Sequence, residues 1–343
     1  MKYLPWMSVM LVASQSLVAC SDDSSDDTTT GGSSSASAGT TSKSGSAGQT
    51  ASAGATSAGG SASASAGATA DGGTAGAPVA GLKDIVDTAV AAGSFKQLAS
   101  ALTTAGLVDA LKGKGPFTVF APTDDAFDAF EAENPGVLAG LSKAELTAVL
   151  TYHVVSGAAV ESGALKDEQV FVTLNGSPVL IDTTGGVKVS DAEVTTADVK
   201  ASNGVIHVID KIILPPADDI VETAIAAGMF TKLAGALTAA DLVTTLKGDG
   251  PFTVFAPTDA AFGKLSAVPT GDALKDVLLY HVVSGAVGSG DLKAGSVSTL
   301  LDGKSLTVSL TGGVKINDAK VTSANIIAKN GVIHVVDTVL VPE

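Results

Sequence analysis

GPFTVFAPTD at residues 115–124 returns unchanged at residues 250–259, and its order of residues is that of a strand running into a helix. Phe117, Val119 and Ala121 alternate with Thr118 and Phe120, so both faces of the predicted strand are largely apolar. Pro122 ends the ladder, and Thr123 stands where an N-cap belongs. Asp124 and Asp125 then place negative charge in the first helical turn, and Ala126 and Phe127 bring the helix back to a core. Each residue has a folding role. Catalysis by Thr123 or Asp124 would need a nearby base and an oxyanion site, which the neighbouring sequence does not offer. Thr258 and Asp259 repeat the arrangement in the second copy.

The repetition extends well beyond these ten residues. Residues 85–127 and 220–262 share 31 identities in 43 positions at a constant offset of 135. YHVVSG recurs at 152–157 and 280–285, and NGVIHV at 203–208 and 330–335. Such a period is too long for a solenoid repeat and suits two tandem domains, each with its own core. Within a copy, Ile85, Val86, Ala89 and Val90 share one helical face, and Phe95, Leu98, Ala99 and Leu102 share another. Ser142 and Glu145 form a capping-box pair ahead of Leu146, Val149 and Leu150. Beyond YHVV the pattern turns to β: VFVTL-NG-SPVLI predicts a hairpin about Asn175-Gly176, and Asn203-Gly204 turns the chain into VIHVIDKIIL. Helices first and strands later predict an α+β fold with an antiparallel sheet core.

The TVFAPTD-x-AF segment, the Tyr-His pair and NG-x-IH with its following apolar strand and Pro occur in that order twice. They lie at Thr118–Phe127, Tyr152-His153 and Asn203–Pro215, then at Thr253–Phe262, Tyr280-His281 and Asn330–Pro342. These blocks resemble the fasciclin, or FAS1, family over nearly all of the two copies. The resemblance implies two tandem domains, at 82–215 and 216–343, each a β-sandwich wedge packed with several helices. It also implies an extracellular or surface-attached protein associated with cell adhesion, with no enzymatic activity. A carrier of a hydrophobic small molecule such as a carotenoid is the alternative it leaves.

The segment before the domains is of another kind. MKYLPWMSVMLVASQSLVAC carries Lys2, an apolar run and Leu17-Val18-Ala19-Cys20, the pattern of a secretory signal (1–19) ending in a bacterial lipobox. Cys20, the only cysteine, is the expected lipidation site, with Ser21 after it pointing to the outer membrane. Residues 20–81 are then read as the lipidated Cys and a disordered Ser/Ala/Gly/Thr-rich tether, because so little apolar surface cannot offset ordering entropy. The net charge is −15 and all twenty basic residues are Lys. That balance argues against nucleic acid, whose phosphates need cationic partners, and leaves the lipid as the only attachment to a membrane. Expected partners are surface polysaccharides or proteins of the same or a neighbouring cell.

The four histidines, His153, His207, His281 and His334, fall two per domain. A pair could ligate a metal if it met in space. Their apolar settings favour buried neutral imidazoles bonded to backbone or hydroxyls, so no metal or cofactor is expected. Tyr152 and Tyr280 are assigned structural roles with them. Some animal members of the family carry an Asp-Ile adhesion motif just ahead of NG-x-IH. The matching residues are Asp198-Val199 and Asn325-Ile326, so Asp198 is the candidate binding residue.

Overall fold

In a computed structural model the described residues run from Gly81 to Pro342. The expected signal peptide, the Cys20 site and the tether through Ala80 lie outside them. Domain 1 opens with α1 (Ile85–Ala92), α2 (Lys96–Ala105) and α3 (Val108–Leu111), after which β1 (Phe117–Pro122) leads into α4 (Asp124–Glu133). Then come α5 (Val137–Gly140), α6 (Lys143–Tyr152), β2 (Val154–Ser156), β3 (Gln169–Val172), β4 (Pro178–Asp182) and β5 (Lys188–Val189). β6 (Ala192–Ala201) and β7 (Gly204–Ile209) complete it. Domain 2 repeats the order with α7 (Ile220–Ala226), α8 (Thr231–Ala239), α9 (Val243–Leu246), β8 (Phe252–Pro257), α10 (Asp259–Gly263) and α11 (Asp272–Tyr280). Its strands are β9 (Val282–Ser284), β10 (Gly295–Ser298), β11 (Ser305–Ser309), β12 (Lys315–Ile316), β13 (Ala319–Ala328) and β14 (Gly331–Val336).

Local chemistry sets the helix ends. Thr123 Oγ accepts the Ala126 N–H at 3.2 Å, and Thr258 does the same for Ala261 at 3.2 Å. At α6, Ser142 Oγ accepts the Glu145 N–H at 3.3 Å while Glu145 Oε2 accepts the Ser142 N–H at 2.8 Å, closing the expected capping box. Thr123→Ala is expected to lower the stability of domain 1 by about 1 kcal/mol, and Thr123→Ser by less, read as urea-midpoint shifts.

The sheet of domain 1 runs β2-β1-β7-β6-β5-β4-β3, and domain 2 has the matching order. At its centre the expectation of an antiparallel core fails: β1 and β7 are parallel, from Phe117 opposite Gly204 to Pro122 opposite Ile209. The remaining pairs are antiparallel. The parallel pair arises because most of the domain, helices and hairpins together, intervenes between these two strands and can reverse direction before β7 returns. β6 bends through two register shifts, between Val194 and Thr196 and between Thr196 and Val199. Its start pairs with β5 and the rest with β7, which folds the sheet into a wedge.

Because of that wedge, β1 is buried on both sides. Val119 and Ala121 meet Ile85, Leu98, Leu102 and Leu150 beneath the helices. Phe120 faces the other way, into a second cluster with Tyr152, Ile181, Val189 and Ile209. Domain 2 has the same two clusters, around Val254 and around Phe255. One local expectation is corrected. Val90, assigned to the buried face of α1, is 58% exposed, since Ile85, Val86 and Ala89 already cover the stripe facing the sheet. The hairpin about Asn175-Gly176 forms as expected, its ladder reaching Val172 opposite Pro178 and the Thr173 N–H closing it on the Ser177 carbonyl at 3.1 Å. Leu174 leaves the ladder and donates its N–H to the Val154 carbonyl at 2.6 Å, lacing the hairpin to β2.

Candidate functional site

The Tyr-His pair sits at the end of α6, where the helix meets the wedge. His153 Nδ1 lies 2.8 Å from the Val149 carbonyl, and its Nε2 accepts the Ile213 N–H at 3.2 Å. A carbonyl can only accept, so Nδ1 bears the hydrogen and the ring is neutral. Full burial pushes its pKa down to about 4, with the Val149 bond opposing. Tyr152 donates its hydroxyl to the Pro178 carbonyl at 3.0 Å, and burial pushes the phenol up to about 12. In domain 2, His281 joins the Val277 carbonyl at 2.7 Å to the Leu340 N–H at 2.9 Å. Tyr280 reaches the Ser305 carbonyl at 2.9 Å. Each imidazole thus ties the last turn of a helix to the strand-like tail of its domain.

His207 and His334 lie elsewhere, on the central strand. His207 Nε2 faces the Val160 carbonyl at 2.8 Å, its Nδ1 accepts the Asp198 N–H at 3.4 Å, and its ring stacks on Phe120 with centroids 5.8 Å apart. His334 repeats this with Val287, Asn325 and Phe255. The two histidines of a domain therefore serve separate backbone contacts. Among the described residues no group of three or more His, Cys, Asp or Glu is placed to hold a metal ion.

Asp198 occupies the bulge of β6 with φ 61°. Its Oδ1 accepts the Ser162 N–H at 2.7 Å and its Oδ2 accepts the Ser162 hydroxyl, so the carboxylate caps the short 3-10 turn Ser162–Ala164. These bonds hold its pKa below the usual carboxylate range. The candidate binding residue is thus turned toward its own domain.

Other frame residues escaped the sequence reading. Asn203 Oδ1 accepts the Ile85 N–H at 3.0 Å, while its Nδ2 donates to the Leu111 and Gly113 carbonyls at 2.8 and 3.0 Å. Asn330 does the same with Ile220, Leu246 and Gly248. Asp124, expected only to complement the helix dipole, also accepts the Gln97 N–H at 2.8 Å and so caps α2. Asp259 serves Lys232 likewise at 2.7 Å. An Asn-Gly turn predicts a tight reversal; the long-range partners of its amide leave no local signal.

Beneath each helix layer lies an apolar cavity of about 20 Å³. One is lined by Leu98, Leu102, Leu150 and His153, the other by Leu233, Leu237, Leu278 and His281. Roughly one water fills such a space, whereas small-molecule sites run to about 300–1,000 Å³.

Comparison with known proteins converges on one family. The fasciclin domain matches residues 93–215 and 228–342. The chain is 31% identical to transforming growth factor-beta-induced protein ig-h3 of Sus scrofa over 77% of its own length and 40% of that protein's. It is 30% identical to human periostin over 69% of its length and 30% of the relative's. The protein sll1735 of Synechocystis is 43% identical and is matched over 98% of its length by 135 residues. The chain thus spans well under half of the two animal relatives, whereas a protein of one domain's size is matched nearly whole.

Proposed function

We propose that this chain, which belongs to the fasciclin domain family, acts as a non-enzymatic adhesion or extracellular-matrix interaction protein held at a cell surface. The observation that carries this reading is how the motif side chains are used. The histidines, Tyr152, Tyr280 and Asp198 direct their hydrogen bonds to their own domain, which suits a rigid module presenting its surface rather than a reactive cleft. Duplication of the module adds avidity toward a multivalent ligand.

In this reading a lipid on Cys20 anchors the chain in the outer membrane, and the tether lifts the domains away from it. No helix among the described residues is long and apolar enough to cross a membrane. The partners are polysaccharides or proteins of the same or a neighbouring cell, and the −15 charge disfavours nucleic acid. The carotenoid-carrier alternative draws no support from the two cavities, each about 20 Å³. Cys20→Ser is expected to release the domains from cells and to reduce cell attachment or aggregation. Attachment that persists unaltered, with the domains in the medium, would sink the proposal.

A further inference from the structure

The two domains meet through unlike surfaces. Domain 1 contributes the corner ahead of β3, and domain 2 contributes the 3-10 turn Ser289–Asp291, which packs on β3 and is held to β13 through Asn325. The Gly290 N–H donates to the Glu168 carbonyl at 3.1 Å, and the Val170 N–H donates to Asp291 Oδ2 at 3.0 Å. The Ser289 hydroxyl donates to Glu168 Oε2. Two glycines permit this approach. A Cβ on Gly288 would stand 2.3 Å from the Glu168 carbonyl oxygen, and one on Gly290 would stand 1.9 Å from that of Asp167.

The residue beneath Ser289 decides which way its hydroxyl points. Asn325 Oδ1 accepts the Ser289 N–H at 2.8 Å, which turns its Nδ2 to Ser289 Oγ at 2.7 Å. The hydroxyl receives a hydrogen bond from within the domain, and its own proton is left for Glu168. Domain 1 has Asp198 in this place. A carboxylate has no hydrogen to give, so Ser162 donates inward instead. Glu161 stands where domain 2 has Gly288 and holds Lys200 at 2.7 Å. At the far end of domain 2, Ala294-Gly295 occupies the corner where domain 1 has Asp167-Glu168.

We propose that Glu168 and the Ser289–Asn325 pair form a keyed head-to-tail joint. The socket of domain 2 recognises a carboxylate-tipped strand corner, and the chain uses it once. Unlike surfaces of this kind propagate into filaments unless something stops them. Here both free ends are altered. The socket of domain 1 carries the Asp198 carboxylate and has Glu161 in place of the glycine that permits close approach, and the corner of domain 2 lacks its carboxylate. Neither of these surfaces would extend the array by the same joint.

The test uses the full chain and three variants. Asn325→Asp turns the Ser289 hydroxyl inward and sets a second carboxylate beside Glu168, while reproducing the Ser-Asp arrangement on which domain 1 already folds. It is expected to raise the rate of proteolytic cleavage at residues 214–217 by roughly ten- to a hundredfold, the loss of one hydrogen bond to a charged group, and to enlarge the radius of gyration in solution scattering. Glu168→Ala opens the joint to a similar degree without touching domain 2. In Asn325→Asp with Glu168→Gln, the new amide donates to Ser289 Oγ, so protection is expected to return. Wild-type protection in both single variants would overturn the joint, and failure of the double variant to recover would overturn the key. Wild-type chains are expected to sediment as one species, and head-to-tail growth with concentration would overturn the termination.

Discussion

Between pH 6.5 and pH 4 each domain is expected to lose about 3 kcal/mol of stability, through one buried histidine apiece. His153 and His281 are both pushed from 6.5 down to about 4 by burial. In the unfolded chain the same rings protonate near their ordinary value, so in this window the unfolded state binds the extra proton and stability falls as pH falls. At about 1.4 kcal/mol per unit, the shift sets the size of the effect. The loss is complete below pH 4 and absent above pH 6.5. His334, also lowered chiefly by burial, steepens the limb of domain 2. Carboxylates held low by their hydrogen bonds, such as Asp198 and Asp259, act in a lower window, as pH falls below 3.8.

Urea titrations across this range should show the slope, and His281→Phe identifies its source. That variant removes one of the two titrating rings of domain 2 and orphans the Val277 carbonyl and the Leu340 N–H. It is expected to cost about 2–6 kcal/mol at pH 7, at about 1–3 kcal/mol for each buried unpaired group. A pH slope in domain 2 that survives His281→Phe undiminished would remove the imidazole from the account.

The second large effect is expected at Asn203. Its amide joins the start of α1, the end of α3 and the turn between β6 and β7, with partners 90 or more residues away. The same turn is closed from the other side. The Asn203 carbonyl accepts the Phe117 N–H at 3.0 Å, and a Cβ on Gly115 would stand 1.9 Å from that carbonyl oxygen. Asn203→Asp keeps the acceptor for Ile85 but loses both donors and points an anionic oxygen at two carbonyls. A loss of about 3–5 kcal/mol is expected, and about 2–4 kcal/mol for Asn203→Ala. Calorimetry should show the transition of domain 1 shifted while that of domain 2 stays in place. A deficit under 1 kcal/mol in Asn203→Asp would mean that the amide is not the fastener described.

What the sequence made legible is what short-range physics encodes. The strand-to-cap order of TVFAPTD, the Ser142-Glu145 box and the helical stripes all act within a few residues, and they appear where they were read apart from Val90, which is exposed. The Tyr-His and NG-x-IH blocks were readable as frame residues without their partners being visible. The rest depends on contacts that leave no periodicity. The parallel union of β1 with β7 joins strands at opposite ends of a domain. Asn203 and Asp198 act through backbone groups far along the chain. Both were read from their neighbours in sequence, Asn203 as half of a turn and Asp198 as a candidate binding residue.

The opposite orientation of Ser162 and Ser289 has a consequence for rearranging the chain. The two domains look interchangeable, since their frames match nearly bond for bond. Transposed, the domain now second would lead with an Ala294-Gly295 corner, and the domain now first would receive it on Asp198 and Glu161. The side-chain hydrogen bonds of the seam would lose their partners, and the Cβ of Glu161 would stand where Gly288 now permits close approach. Permutation is therefore not neutral: the same two folds, written in the reverse order, are two beads on a string.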